Sequence, residues 1–269
     1  MIAGGLSPSD RGLAYGDGVF ETMRMAAGTL PWWPRHRARL QAGCDALGIP
    51  YPQTAIENAL ATLTGKGPGV CKLIVTRGLG GRGYLPPKVV RPTVIVQQHA
   101  LPEWTPELLR HGISTGLCNG YLHPEPLAGH KHLNRMPQVL ARAEVERQGW
   151  HEGILLSPRR QPLEATSMNL FARFDDYWWT PDLDAAGAGV NGVLRSWLLA
   201  HWHLRGEPVR IDLRGLSRLR EARGVFLGNS VVGIIPVARL GLWRWPVLAS
   251  VLALQAQVQA EFFQGRELS

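Results

Sequence analysis

Cysteine is scarce in this sequence, and long apolar runs are missing from it. The 269 residues include three cysteines, Cys44, Cys71 and Cys118, an odd number at wide spacing. This pattern excludes a disulfide framework and a cysteine-based metal site, so we interpret the three as small apolar residues of a protein from a reducing compartment. No run of about 18 uncharged apolar residues is present, and we therefore expect no membrane-spanning segment.

The first residues also lack the features of an export signal. The stretch MIAGGLSPSDRG has no basic region followed by an apolar core. Because a secretory signal needs both parts, we expect a cytoplasmic protein.

Acidic residues are too few to balance the basic ones. The sequence has 29 lysines and arginines against 21 aspartates and glutamates, a net charge of +8. Such a balance suits either nucleic acid or an anionic small molecule bound by arginine. Because the arginines are spread along the chain without a lysine-rich tract or tail, the pattern favours a small-molecule substrate and no nucleic-acid partner.

The order of local patterns predicts two halves. The first hundred residues alternate strand and helix patterns, including a hairpin over GVFETMRMAAGTLPWW with its turn near Ala27-Gly28. Strand and helix patterns start again at ISTGLCN, after a segment with some helical content. We therefore predict an α+β protein with a small α/β domain over 1–105, a linker over 106–111 and a large domain over 112–269.

Lys131 is the first candidate for chemistry. It lies in AGHKHLNRM between His130 and His132, just before a helical pattern. Burial or nearby cations, which these histidines and Arg135 would supply, turn a lysine into a nucleophile toward a carbonyl carbon. The alternative is a solvated lysine in a basic loop, and the residue alone does not decide between the two.

Four further features extend the set of candidates. Glu164, in QPLEATSMNLF, is either a hairpin charge or the partner of a protonated pyridine nitrogen. The glycines of GAGVNGVLRSWLL precede a helical pattern, where free backbone amides at the positive helix end bind phosphate, although many such turns bind nothing. Arg39 is a phosphate ligand or a solvated arginine, and Ser230 in LGNSVVG lies in an open or merely tight turn.

Taken together, these features resemble the fold-type IV pyridoxal-phosphate enzymes, the class of branched-chain and D-amino-acid aminotransferases. More narrowly, they resemble the aminodeoxychorismate lyases. The resemblance extends from Asp10 to Val237, and its most specific motifs are GGRGY and KHLNR. The other matching segments are DRGLAYGDGVFETMR, HRARL, VTRGLGGRGY, LAGHKHLNR, LEATSMNLF, GVNGVLR and NSVVGIIPV.

The resemblance implies a cofactor, pyridoxal 5'-phosphate, and a role for each matched residue. Lys131 would be the catalytic residue and would carry the cofactor covalently, while Glu164 would meet its pyridine nitrogen. The groups implied to hold the phosphate are Arg39, the amides of Val193 and Leu194, and the Ser230 hydroxyl, with Asn134 near the cofactor hydroxyl.

The resemblance also implies a substrate pocket, a fold and a quaternary structure. The residues implied to line the pocket are Tyr15, Phe20, Arg24, Arg82 and Tyr84, with Arg82 as the main carboxylate partner. The implied fold has a small N-terminal α/β sandwich and a larger C-terminal β-barrel-like domain, and the implied assembly is a homodimer. The stretch YLPPKVVRP departs from the family pattern, which makes the substrate contacts after Tyr84 less defined.

The implied reaction converts 4-amino-4-deoxychorismate to 4-aminobenzoate, a folate precursor, and pyruvate. An aminotransferase of the same fold, acting on D-amino or branched-chain amino acids, is the nearest alternative, and a basic nucleic-acid-binding module is the least favoured. GGRGY and KHLNR favour the lyase. No metal is expected, since the pair His201 and His203 has no third candidate ligand nearby.

Overall fold

The computed structural model describes residues 5–64 and 67–264, which separate into two compact units. The first unit contains the chain up to Leu101 together with His130–Arg135, and the second contains Pro102–Gly129 and the chain from Met136 onward. The segment predicted as a linker belongs to the second unit, because Leu108 and Leu109 pack against its core. The domain bounds given above stay a prediction.

The first unit is an antiparallel three-stranded sheet with helices on one face. Its strands follow the order β1-β2-β3, so that each strand pairs with the next one along the chain. The elements are α1 Arg11–Tyr15, β1 Gly18–Met25, α2 Trp33–Leu47, α3 Gln53–Leu60, β2 Gly69–Thr76 and β3 Thr93–His99.

Alternation along β1 decides which side chains enter the core of the first unit. Val19, Met23 and Met25 are buried in one cluster with Leu40 and Cys44 of α2. Since successive side chains of a strand point to opposite faces, Phe20, Thr22 and Arg24 point away from the helices. The helix-free face of the sheet therefore begins at Phe20 and continues through every second residue of β1.

The hairpin predicted after β1 is wrong in its second arm. Ala26 and Thr29 exchange backbone hydrogen bonds of 3.1 and 2.9 Å around Ala27 and Gly28, which both have positive φ, as a tight hairpin turn requires. No strand follows the turn, because the chain enters α2 at Trp33. β1 pairs with β2 instead.

The second unit is built around a nine-stranded sheet that closes on itself. β10 pairs with both β11 and β7, so that six strands form a ring in the order β10-β11-β4-β5-β6-β7. β8 and β9 extend it, and β12 pairs with β11. The elements are α4 Pro106–His111, β4 Ile113–Tyr121, α5 Met136–Arg147, β5 Glu152–Leu156, β6 Pro162–Ala165, β7 Asn169–Arg173, β8 Trp178–Pro181, α6 Leu183–Ala186, α7 Val193–Leu204, β9 Val209–Asp212, α8 Leu216–Leu219, β10 Gly224–Asn229, β11 Gly233–Leu240, β12 Trp243–Arg244 and α9 Ala249–Gln264.

Aromatic packing fixes α7 against this sheet. The ring of Trp202 stacks on that of Trp178 at 5.0 Å and meets Phe171 edge-on at 6.0 Å. Phe171 in turn stacks on Phe226 of β10 at 4.8 Å. Such pairs add to the free energy of burial of these large side chains. α7 is therefore held against β7 and β8 through Trp202, near the end of the helix.

The three cysteines are free thiols in the cores, which confirms their interpretation as apolar residues. Burial raises the pKa of Cys44, Cys71 and Cys118 to about 12 in each case. A thiol with such a pKa is protonated and unreactive near neutral pH.

Within the described ranges, no helix is long and apolar enough to cross a membrane. The same ranges contain no group of three or more His, Cys, Asp and Glu side chains arranged to hold a metal ion.

Candidate active site

Lys131 lies in the first unit, where its segment runs beside β1. The Phe20 amide donates to the Lys131 carbonyl at 2.9 Å, and the Leu133 amide donates to the Gly18 carbonyl at 2.9 Å. The Lys131 Nζ is 4.4 Å from the centre of the Phe20 ring. Because both the backbone and the ring hold it, the ammonium has a defined position against an aromatic face.

Arg135 holds the backbone on both sides of Lys131. Its guanidinium donates to the carbonyls of His130 and His132 at 2.6 and 2.9 Å. Those two carbonyls flank Lys131, so the arginine tightens the turn that carries the lysine. Arg135 thus has a structural role, and its effect on Lys131 as a nearby cation stays a prediction.

The helix-free face of the first sheet carries a row of cations near Lys131. Phe20 and Arg24 lie on this face of β1, and Lys72 of β2 is directly opposite Thr22 between them. The Lys72 Nζ is 5.4 Å from the Phe20 ring centre. Burial lowers the pKa of the Arg24 guanidinium. Lys72 was not predicted as a site residue, although a lysine alternating with apolar residues in GVCKLIVT was the available signal.

Arg39 is paired with a buried carboxylate on the opposite face of β1. Its Nε donates to Glu21 Oε1 at 2.8 Å, and His36 Nδ1 lies 2.7 Å from Glu21 Oε2. Burial alone would raise the pKa of Glu21, but the charge and hydrogen bonds of Arg39, followed by those of His36, lower it to about 2. Burial lowers the pKa of His36, against the opposing effect of Glu21.

Glu21 and His36 were not predicted as site residues. Their ion pair with Arg39 depends on packing between a strand and a helix, which no short motif reveals. The available signal was an acidic residue on the apolar face of β1.

The other predicted residues of the first unit surround α1. The Asn134 Nδ2 donates to the Gly16 carbonyl at 3.3 Å, and a Cβ on Gly16 would lie 2.3 Å from Asn134 Oδ1. The rings of Tyr15 and Tyr84 are 5.4 Å apart. Arg82 is exposed on the loop that carries Tyr84. The first unit thus brings Lys131 to Phe20, Asn134 to Gly16, and Tyr15 to Tyr84.

In the second unit, Glu164 is buried and held by hydrogen bonds. The Val190 amide donates to its Oε2 at 2.9 Å, and Gln138 Nε2 donates to its Oε1 at 3.3 Å. Asn169, opposite Glu164 in the sheet, donates from Nδ2 to the Val190 carbonyl at 2.9 Å. The predicted pyridine partner is therefore a fixed carboxylate. Gln138 and Asn169 are supporting residues that the sequence did not reveal.

The predicted phosphate amides lie at the first turn of α7. Gly192 caps this helix with φ −66° and ψ 143°, and it offers no side-chain hydrogen bond to the amides of Val193 and Leu194. A Cβ on Gly192 would lie 2.0 Å from Asn169 Oδ1, which explains the glycine. The first amides of a helix have no partner inside it and point along the positive end of its dipole. This geometry suits an anion.

Ser230 lies in the turn between β10 and β11. The Asn229 Oδ1 accepts hydrogen bonds from the amides of Val231 and Val232, both at 2.9 Å, which shapes the turn around a buried Ser230. A Cβ on Gly228 would lie 2.8 Å from the Leu194 side chain, so the end of β10 packs closely on the first turn of α7. The second unit thus brings the region of Ser230 to the start of α7.

The chain is similar to known proteins both in sequence family and in fold. The model of the family "Amino-transferase class IV" matches residues 18–240. The aminodeoxychorismate lyase of Vibrio harveyi is 36% identical over 233 residues, which are 85% of each chain. The crystal structure of 4-amino-4-deoxychorismate lyase from Pseudomonas aeruginosa is 42% identical, covers 96% of this chain and 95% of its own, and superposes with a TM-score of 0.89.

A more distant structure shares the fold alone. A hypothetical aminotransferase from Mycobacterium tuberculosis, in a PLP-bound form, is 21% identical, covers 99% of this chain and 96% of its own, and has a TM-score of 0.82. These similarities confirm the predicted α+β fold of the fold-type IV class, whose members are pyridoxal-phosphate enzymes. On the family match and the identity to the lyases, the chain belongs to the class IV aminotransferase family.

Proposed function

We propose that this protein is a pyridoxal-phosphate-dependent lyase that converts 4-amino-4-deoxychorismate to 4-aminobenzoate and pyruvate. The observation that carries the proposal is the helix-free face of the first sheet, where Lys131 and Lys72 both approach the Phe20 ring and Arg24 follows on the same strand. A nucleophilic lysine accompanied by two more cations suits a substrate with an amine and two carboxylates. The two lyase relatives support the same substrate.

The residues present fit pyridoxal 5'-phosphate. Glu164 supplies a buried, hydrogen-bonded carboxylate for a cationic ring nitrogen. The uncapped amides of Val193 and Leu194 suit a phosphate, with the Ser230 hydroxyl and the Arg39 guanidinium as further donors. Lys131 would hold the cofactor covalently. When bound, the cofactor supplies an electron sink for the pair released at the carbon that bears the amine.

The site residues then have defined roles in the reaction. Lys131 Nζ removes the proton from the amine-bearing ring carbon of the substrate, and the Phe20 ring keeps water from one side of that nitrogen. The carbon–oxygen bond to the enolpyruvyl group breaks as the ring becomes aromatic, and the proton returned to that group completes pyruvate. Glu164, fixed by Val190 and Gln138, keeps a negative charge at one place throughout.

The cations of the first unit would bind the carboxylates of the substrate. Arg24 and Lys72 lie on the face that carries Phe20, and Arg82 is on the exposed loop after β2.

We also propose that the enzyme is a cytoplasmic homodimer, as in the class it resembles, and that its product serves folate synthesis.

The proposed function is tested by replacing Lys131 and, as a control, Lys88 with alanine. Lys131→Ala should abolish release of 4-aminobenzoate from 4-amino-4-deoxychorismate, and borohydride should fix the cofactor on Lys131 of the wild-type protein, as read from the peptide mass. Lys88→Ala, at an exposed lysine, is the matched control and should retain full turnover. An adduct on Lys72 or Lys88 would refute the assignment, as would full turnover in Lys131→Ala.

A further inference from the structure

The loop over residues 80–85, GGRGYL, is held by the side chain of Arg11 (we call it the substrate loop). The Arg11 guanidinium donates to the carbonyls of Tyr84 at 2.8 Å, Gly83 at 3.2 Å and Leu85 at 3.4 Å. Arg11 is only 4% exposed, whereas the side chains of Tyr84 and Leu85 are 84% and 85% exposed. The loop is therefore anchored through its backbone, and its side chains extend into solvent.

Arg11 is itself fixed by a partly buried carboxylate, that of Asp17. Its Nε donates to Asp17 Oδ2 at 2.8 Å, and the same oxygen accepts from Arg77 Nε at 2.8 Å. Burial alone would raise the pKa of Asp17, but the hydrogen bonds of Arg77 and Arg11 lower it below the usual value. Asp17 thus stays charged at neutral pH and joins two arginines.

Those two arginines hold different parts of the chain. Arg77 donates to the carbonyls of Leu47 and Gly48 at 2.7 and 3.0 Å, at the end of α2. Arg11 alone of the pair extends to the substrate loop. This division offers a natural comparison, because both arginines share one carboxylate.

The glycine at position 80 is explained by the same contact. A Cβ on Gly80 would lie 2.6 Å from Arg11 Cδ, whereas a Cβ on Gly81 would meet no atom within 4 Å. The Gly80 amide also donates to the Ser9 carbonyl at 3.1 Å. The beginning of the loop is thus packed directly on the stem of Arg11.

We propose that Arg11 is the positioning residue of the substrate loop, which it holds so that Arg82 and Tyr84 meet the substrate. The inference rests on the proposed function, in which this loop contacts substrate. A loop with three glycines samples many backbone conformations unless it is tied down. The planar guanidinium serves one carboxylate and three carbonyls at once, which the single ammonium of lysine does not do.

The expected consequence is a loss of substrate affinity with little effect on the chemical step. Arg11→Lys should raise KM for 4-amino-4-deoxychorismate about tenfold, as expected for the loss of charge-assisted hydrogen bonds that order a binding loop. The kcat and the cofactor absorbance should stay close to those of the wild-type holoenzyme, since the Arg11 guanidinium donates to Asp17 and to the carbonyls of residues 83–85. Arg77→Lys is the matched control, and its KM should stay near the wild-type value.

A second pair of variants and a second readout keep the test independent of folding defects. Gly80→Ala should raise KM as Arg11→Lys does. Gly120→Ala is its control and should not, because Gly120 lies on β4 and an added Cβ there would meet no atom within 4 Å. Trypsin cleavage after Arg82, measured on the holoenzyme without substrate, should be faster in Arg11→Lys and Gly80→Ala than in their two controls.

The outcomes separate this inference from the proposed function. A KM and a cleavage rate at wild-type values in Arg11→Lys would overturn the positioning role. The role would also be overturned if both arginine variants showed the same decrease in kcat, the same decrease in bound cofactor and the same rise in KM. That result would mean that Asp17 and its two arginines only stabilise the fold. If the wild-type protein releases no 4-aminobenzoate, the proposed function fails, and the trypsin comparison alone then decides whether Arg11 holds the loop.

Discussion

Glu21 shows how one residue links the fold to the candidate site. Its carboxylate is fully buried under β1, yet it is charged, because Arg39 and His36 both contact it. A buried charge of this kind is tolerated only when it is paired and hydrogen-bonded. The arginine that we expect at the cofactor phosphate is therefore held by a buried carboxylate.

The depressed pKa of Glu21 makes a prediction about acid stability. The pKa of Glu21 is about 2 in the folded protein against 4.5 for an unperturbed glutamate, so the stabilisation is complete above pH 4.5 and is lost as the pH falls toward 2. The shift corresponds to about 3 kcal/mol of the free energy of unfolding. In Glu21→Gln this part of the acid dependence should be missing, as measured by urea unfolding at pH 7, 4.5 and 3.

The control for that measurement is Glu57→Gln, at an exposed carboxylate on α3. This variant should keep the wild-type loss of stability between pH 4.5 and 3. Identical pH dependence in Glu21→Gln and wild type would show that Glu21 is not the carboxylate responsible.

At the scale of elements, the N-terminus of α7 can be tested by a matched pair of glycines. Gly192 and Gly215 both cap a helix without a side-chain hydrogen bond, with φ and ψ of −66° and 143° at Gly192 and −62° and 150° at Gly215. Only at Gly192 would a Cβ meet a close neighbour, the Asn169 oxygen. Gly192→Ala should displace Asn169 and with it Val190, whose amide holds Glu164.

The expected result is a weaker cofactor site in one variant alone. Gly192→Ala should raise the Kd of the apoprotein for pyridoxal phosphate about tenfold or more, as expected when buried hydrogen bonds are lost. Gly215→Ala should bind like wild type in the same absorbance titration. Unchanged affinity in Gly192→Ala would remove α7 from the phosphate site.

The elements themselves were largely predictable from the sequence, because they depend on local patterns. Alternation in GVFETMRM gave β1, and the glycines before VLRSWLL gave the start of α7. The hairpin after β1 was wrong, since pairing with the distant β2 outweighed the local turn signal. The helix α9 was not predicted, although its alanine, leucine and glutamine residues favour helix.

The supporting contacts of the site could not be predicted, because they join residues far apart in the sequence. Arg11 meets the Tyr84 carbonyl, 73 positions away, and Glu164 meets the Val190 amide, 26 positions away. Motifs name the residues expected to touch a ligand. The residues that orient those side chains depend on tertiary contacts. A side chain that donates to backbone carbonyls cannot be recognised from the sequence, because every residue has a carbonyl that can accept.

For the whole molecule, the structure shows internal contacts for several of the arginines. Arg11, Arg77, Arg39 and Arg214 each bind a carboxylate or backbone carbonyls within their own unit. These arginines therefore have structural roles inside the protein, while the net charge of +8 remains. The remaining cations beside Phe20 suit the attraction of a small dianion.

Lyase activity is distinguished most directly from transamination by counting products in the absence of any keto acid. The atoms of 4-amino-4-deoxychorismate are fully divided between 4-aminobenzoate and pyruvate, so no second substrate is consumed. We predict equal amounts of the two products over many turnovers of the wild-type holoenzyme. An aminotransferase would stop after one turnover without a keto acid. Multiple turnovers on D-alanine or a branched-chain amino acid with 2-oxoglutarate, and no 4-aminobenzoate from 4-amino-4-deoxychorismate, would contradict the account.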